Sequence, residues 1–347
     1  MDKHPPLLKS PKIHIWRYLL ILVILGLAVQ LLVPQIASLE SSWSVVQDMT
    51  WWAVVLAVAA QIFSYLGAGY MLHAILANNH QKLSIFKGAM ITLASASIGL
   101  VAGGWVGDAA ATYAWVRREV DDNNTATLAG TLPPILNTAL LAVMALIGTA
   151  YLLAVHDLGQ AELIEFGITL LALVLIIFSL ASALRYPKLA TRLVVWLAGR
   201  WAALLHKQYE PEETMAAVGE FVDAWNSLGD GKWRGPLLGA IANLSFDMLT
   251  LYFLFIAAGH NVSLGVLFAG YGLPFILARM AFLLPGGLGV VEGSMVVLYD
   301  SLLVPNAVSV VVILGYRLLS FWLPSLLGFA AAAYLSRKSF KIMTEPV

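Results

Sequence analysis

The stretch 279–317 reads RMAFLLPGGLGVVEGSMVVLYDSLLVPNAVSVVVILGYR, from Arg279 to Arg317. It is apolar enough to enter a bilayer. Yet it carries two arginines, Glu292, Asp300 and the break Pro-Gly-Gly-Leu-Gly at 285–289. A continuous membrane helix is not written this way. Gly286, Gly287 and Gly289 favour positive φ or a tight turn, and Pro285 has no N–H to give the preceding turn. Non-helical backbone at membrane depth is tolerated only where protein or a water-filled cavity surrounds it. The stretch therefore predicts a broken, re-entrant hairpin that lines a polar cavity, followed by a spanning helix that carries Arg317.

Composition agrees with this reading. Of the 347 residues, 60% are apolar and 12% charged, and the mean hydropathy is +0.82. A soluble domain carries about twice that charged share. Several apolar runs of about 18 residues or more predict an all-α polytopic membrane protein, and no alternating pattern suggests a barrel. Formal net charge is zero, which gives no basis for nucleic-acid binding. The chain has no cysteine, which excludes disulfides, thiol catalysis and cysteine-ligated zinc. The basic start and the apolar run after it lack a small-residue cleavage site, so the run is expected to stay as a first span.

The expected architecture is a single integral membrane domain over 1–347, with about six spans and two re-entrant hairpins. Spans are placed at 18–34, 51–76, 127–155, 166–184, 236–258 and 307–335. Trp51 and Trp52 are interface anchors, and Pro133 and Pro134 kink the third span. A loop with Glu40 and Asp48 joins the first two. Segment 87–118 is rich in Gly, Ala and Ser and contains GGWVGD at 103–108, so it reads as one hairpin. Segment 263–300 reads as the other. At 211–228, Met215, Val218, Phe221, Val222, Trp225 and Leu228 fall at helical spacing, which predicts a cytoplasmic amphipathic helix.

Basic residues give the orientation. Eighteen of the 20 Lys and Arg can be placed on one side if both hairpins re-enter, and only Arg279 and Arg317 then fall at membrane depth. Both termini are then cytoplasmic, in a cell membrane of the bacterial inner or plasma type. Residues 18–155 and 166–335 become two half-repeats of the same order entered from opposite sides. Inverted repeats with broken helices at the midplane are an architecture of alternating-access transporters. The competing reading is eight plain spans without symmetry.

Five ionisable residues fall in the apolar zone: Asp108, Asp247, Arg279, Glu292 and Arg317. Each costs about 2.5–3.5 kcal/mol at a helix centre unless it faces a cavity or finds a partner. Asn243 lies one turn before Asp247 on the same face, and Tyr316 adjoins Arg317. One reading makes these residues a structural ion-pair network that locks broken helices together. The other makes them an anion-attracting pocket, and the two are compatible. A phosphate suits the planar fork of arginine, and the glycine turn at 285–289 opens a helix whose free N–H groups suit an anion. The acidic residues would pair with the arginines in the empty state, meet a cationic part of a headgroup, or carry a proton. The seven histidines form no metal-ligand spacing, and His73 reads as a packed, hydrogen-bonded residue. Asp121 and Asp122, with Asn123 and Asn124, read as a solvated turn rather than a metal site. No Walker loop, GxSxG or Rossmann glycine run occurs, and no cofactor or metal is expected.

At these residues the chain resembles the transmembrane flippase domain of the lysylphosphatidylglycerol synthase (multiple peptide resistance factor) family. The resemblance rests on PGGLGVVE at 285–292, YRLLSFWLPSLLG at 316–328, GGWVGD at 103–108 and, more weakly, FDMLTLYFLFIAAG at 246–259. It covers roughly residues 15 to 335. One departure is that AAAT follows Asp108, where family members often place an arginine; the next arginines here are Arg117 and Arg118. The chain stops soon after the last span, where the synthases continue into an aminoacyl-transferase domain. The resemblance thus implies a stand-alone member that translocates lipid without aminoacyl transfer.

The expected function is a flippase or scramblase for a phosphate-headed lipid: a phospholipid, an aminoacyl-phospholipid or a polyprenyl-phosphate lipid. The alternative is an ion-coupled carrier of a small anionic solute. A lipid-modifying enzyme is disfavoured, since no nucleophile or metal triad is recognisable. The candidate headgroup and translocation residues are Arg279, Arg317, Glu292, Asp247, Asp108, Asn243, Gly286, Gly287, Gly289 and Tyr316. Arg279→Ala and Arg317→Ala are both expected to abolish movement while the fold survives. The expected partners are membrane lipids; a homo-oligomer and a partner lipid-synthesis enzyme are compatible with the reading.

Overall fold

The computed structural model describes residues 39–120, 122–155, 186–204, 231–280 and 285–342, with isolated positions between 171 and 229. The expected spans at 18–34 and 166–184 and the amphipathic helix at 211–228 lie essentially outside the described residues. The described chain is helical throughout, as befits an all-α polytopic membrane protein. Its helices are α1 (Leu39–Gln47), α2 (Trp51–Ala77), α3 (Ile85–Val101), α4 (Trp105–Arg117), α5 (Asn123–Val155) and α6 (Pro187–Leu204). After them come α7 (Arg234–Ala257), α8 (Leu264–Met280), α9 (Val290–Ser301), α10 (Asn306–Arg317) and α11 (Leu323–Ile342). A 3₁₀ turn, Pro285–Gly287, stands between α8 and α9, and a π turn, Leu318–Trp322, joins α10 to α11.

Among the described residues, four helical stretches are long and apolar enough to cross a membrane: Trp51–Ala77, Asn123–Val155, Arg234–Ala257 and Asn306–Ser336. Each covers a span expected from the sequence. One local reading changes. The loop expected around Glu40 is the helix α1, which packs on α10. Its residues satisfy their backbone groups locally while Ser42 is buried. Lys188, Arg192 and Arg200 fall in α6, where the Arg200 guanidinium sits over the Trp196 ring, 5.3 Å from its centroid.

The two glycine stretches form turns between short helices. Gly103 and Gly104 have φ of 97° and 66°, and Gly286, Gly287 and Gly289 have 63°, 64° and 80°. These are left-handed values that a side chain resists. Lys87, at the start of α3, pairs with Glu119, just past the end of α4, so this helical hairpin returns to the level where it began. In the second hairpin, the Tyr299 ring near the end of α9 fills the place where a Cβ on Gly270, early in α8, would sit.

Small residues set the packing between these units. α2 lies along α7, with Gly67 against the backbone of Ala242 and Asn243, and Gly239 against Met71. α5 packs on α8, where Gly148 faces the backbone of Ala269 and Gly272 that of Ala145. Reciprocally, α11 packs on α3, with Gly328 against Leu93 and Ser97. In a bilayer such close approach supplies the packing that lipid exclusion cannot. A Cβ at Gly148 would run into the Ala269 backbone. Gly148→Leu is therefore expected to cost at least the ~1–3 kcal/mol of an overpacked core. Thermal unfolding in detergent should show a clear fall in midpoint; an unchanged midpoint would refute the close α5–α8 contact.

The start of α5 shows what Asp122 does. Asp122 caps the helix: its carboxylate accepts from Asn124 N at 3.1 Å, from Thr125 N at 3.2 Å and from the Thr125 hydroxyl. Tyr113 in α4 donates to Asn123 Oδ1 at 2.6 Å and ties the hairpin to this cap. Asp122→Ala is expected to destabilise by about 1 kcal/mol, the usual effect of losing such a cap, and to leave the lipid movement expected from the sequence at the wild-type rate. Melting and flux measured on the same preparation check both parts.

Candidate functional site

Two adjoining cavities, of about 350 and 240 Å³, lie between the hairpins and the long helices. Tyr65, Gly104, Trp105, Asp108 and Gly286 line both. The larger is also walled by Thr112, Pro133, Pro134, Asn137, Asn243 and Arg279. It thus takes polar groups from α4, α5, α7 and α8. The smaller lies between α3 and α11, lined by Leu93, Ala96, Leu100, Phe321 and Pro324 with Ser97, Ser320 and Ser325. Both compartments are lined mostly by apolar surface with polar groups set into it, and Trp105, shared by both, is 59% exposed.

Arg279 is the cation of the larger cavity. Its Nη1 donates to Thr138 Oγ1 at 2.6 Å, and that hydroxyl donates onward to the Pro134 carbonyl at 2.6 Å. The Pro134 carbonyl lies one turn before Thr138, in the same helix as the Pro133–Pro134 pair. No carboxylate forms a salt bridge with Arg279 among the described residues. Asp108 lies within electrostatic reach across the same cavity, with Thr112 one turn further along α4. Asn243 donates to the Ser64 carbonyl at 3.0 Å and to its hydroxyl at 2.9 Å, while Asn137 Oδ1 is buried without a partner.

Arg317 is placed differently. It is 3% exposed, as is Glu292, and its Nε donates to Glu292 Oε1 at 2.5 Å. Its Nη2 donates to the Gly286 carbonyl at 3.1 Å, and its guanidinium lies 4.2 Å from the centre of the Phe321 ring. The other Glu292 oxygen accepts from the Gly289 amide at 2.8 Å and caps α9. The anion-binding start of α9 expected from the sequence is thus occupied by the chain's own carboxylate. Arg317 and Glu292 act as a clamp that holds the 285–289 turn against the π turn of the last span. The Phe321 ring fills the place of a Cβ on Gly286.

Asp247 forms a third centre. Tyr316 and Tyr271 both donate to its Oδ2, at 2.6 and 2.7 Å, and Gln61 donates to Oδ1 at 3.0 Å. This joins α2, α7, α8 and α10 at one carboxylate. Of the residues singled out from the sequence, the structure brings Arg279, Asp108, Asn243, Gly286 and Gly287 to the larger cavity. Arg317, Glu292, Asp247, Tyr316 and Gly289 are not among the residues that line it. Sequence reasoning missed Tyr65, Thr112, Asn137 and Thr138; polar side chains inside apolar helices were the available signal. His73 is packed as expected, its Nδ1 donating to the Leu83 carbonyl at 2.6 Å.

A helical membrane protein with broken hairpins around an internal cavity that holds an arginine belongs to the class of polytopic proteins built on a polar interior. Residues 16–328 match the family described as the lysylphosphatidylglycerol synthase TM region, and the chain belongs to that family. It is 26% identical over 209 residues to a UPF0104 membrane protein of Pyrococcus horikoshii, covering 56% of this chain and 59% of that protein. It is 37% identical over 100 residues to a UPF0104 membrane protein of Methanothermobacter thermautotrophicus, covering 28% of this chain and 29% of the relative. The matches thus span less than two thirds of the length of these curated relatives.

Proposed function

We propose that this chain moves a phosphate-headed lipid between the leaflets of a plasma membrane and performs no chemistry on it. The observation that carries this reading is Arg279: a cation in a cavity of about 350 Å³, bonded to a neutral hydroxyl and to no carboxylate among the described residues. A guanidinium at membrane depth is costly and marks a substrate pathway. A phosphate would supply the charge and the acceptor geometry that Thr138 does not. The adjoining smaller cavity, with Leu93, Ala96, Leu100, Phe321 and Pro324 in its lining beside the exposed Trp105, offers apolar surface for an acyl or prenyl chain. Apolar surface in both compartments beside a single cation among the described residues favours a lipid over a small soluble anion.

The hairpins support re-entry. α4 has 13 residues and α9 has 12, about 20 and 18 Å of helix, against the ~30 Å of a hydrocarbon core. The reciprocal packing of α5 on α8 and α11 on α3, about the α2–α7 pair, supports two inverted half-repeats at 18–155 and 166–335. Both termini are placed at the cytoplasm in this scheme.

The test is reconstitution of the purified full chain in vesicles that carry fluorescent phosphatidylglycerol or a fluorescent polyprenyl phosphate. Chemical quenching from outside should extinguish inner-leaflet label far faster than in protein-free vesicles. Label that stays protected across both lipid classes would sink the proposal.

A further inference from the structure

We infer that Asp247 is a proton-binding site that couples lipid movement to a proton gradient; this rests on the lipid-translocation reading above. Asp247 lies mid-helix in α7 and accepts from three donors, the Gln61 amide and the Tyr271 and Tyr316 hydroxyls, all of them neutral. No salt bridge reaches it among the described residues. The titratable and charged groups around it are Tyr65 from α2, Tyr271 from α8, and Tyr316 and Arg317 from α10. Arg317 is engaged by Glu292 and the Gly286 carbonyl. An intramembrane carboxylate without a cation partner is the kind of group that relays protons in pumps and transporters. The three neighbours turn hydrogens toward it, which suits a proton acceptor and not a metal ion.

Protonation has a mechanical consequence here. Both tyrosine hydroxyls donate to the same oxygen, Oδ2. When that oxygen takes a proton it becomes a donor, and at least one tyrosine must turn its hydroxyl or let go. Tyr271 stands two helical turns before Arg279 on α8, with Pro274 breaking the backbone ladder between them. The site is also linked to the cavity from α2, since Gln61 precedes by one turn Tyr65, which lines both compartments. Proton occupancy at Asp247 thereby biases the position of the arginine that faces the headgroup. The charge balance is simple: one proton converts the carboxylate to the neutral acid. Carried with a monoanionic phosphodiester headgroup, it makes each transfer electroneutral.

The experiment uses the full chain in vesicles with fluorescent phosphatidylglycerol, an imposed pH difference and a lumenal pH dye. With one proton per lipid, a pH step of one unit should shift the steady-state leaflet ratio of the label by about tenfold. An imposed membrane potential or sodium gradient should not shift it. Asp247→Asn should let the label equilibrate evenly and abolish the accompanying pH change. In parallel, infrared titration of the detergent-solubilised protein should show a carboxylic-acid band that Asp247→Asn removes and whose midpoint Tyr271→Phe displaces. Label that moves but ignores the pH step overturns proton coupling and leaves translocation intact, as does a shift driven by sodium. If no lipid moves, the translocation reading fails, and with it the coupling. The infrared band then decides the proton site alone: its absence, or its persistence in Asp247→Asn, refutes the site. Should Asp247→Asn fail to fold, the Tyr271→Phe displacement of pH-driven asymmetry and of the band decides; no displacement refutes the inference.

Discussion

Arg279→Ala is expected to cut lipid movement by about ten- to hundredfold while the protein folds as well as before. The loss corresponds to one hydrogen-bonded charged contact of ~1.5–3 kcal/mol with the headgroup phosphate. The intact fold follows from what Arg279 touches: the Thr138 hydroxyl, and no carboxylate among the described residues. Removing a half-buried cation of that kind relieves a desolvation cost, so the melting midpoint should hold or rise. Arg279→Lys keeps the charge but loses the planar fork, and is expected to fall between the two. Flux and melting measured together decide the matter. Wild-type flux in Arg279→Ala would remove the headgroup role, and a collapsed melting midpoint would recast Arg279 as structural.

Arg317→Ala is expected to do the opposite. It strands the buried Glu292 carboxylate, frees the Gly286 carbonyl and removes the cation from the Phe321 ring. Losing one partner of a buried pair costs about 3–5 kcal/mol, enough to lower the yield of monodisperse protein sharply. The double replacement Glu292→Leu with Arg317→Met should recover much of that loss, because an apolar pair leaves no stranded charge; what remains is the α9 cap on Gly289. Melting curves of the single and double variants provide the check. A stable Arg317→Ala protein with no flux would return Arg317 to the translocation path, where the sequence first put it.

These two arginines show how far the sequence could be read. Both sit in apolar helices of the one segment 279–317, on either side of the glycine turn, and nothing in their local sequence separates their roles. The spacing of apolar runs placed the ends of the described spans to within a few residues, since a bilayer demands a fixed length of apolar helix. Positive φ at Gly286, Gly287 and Gly289 was also legible, because a Pro-Gly-Gly-Leu-Gly run has few other uses inside an apolar segment. The π turn at Leu318–Trp322 was not, since LLSFW has no breaker and the widened turn answers to the packing of Phe321 on Gly286.

The sequence alone determined the class of protein, the described spans, the two breaks and the short list of charges at membrane depth. These follow from transfer free energies and backbone sterics, which act over one helix at a time. Only the tertiary structure decided which charges are spent on each other. It sent Arg317 to Glu292, ringed Asp247 with hydroxyls and an amide, and left Arg279 facing a cavity with Asp108 across from it. Such pairing depends on helices far apart in the chain meeting at one depth, and local sequence carries no distance between them.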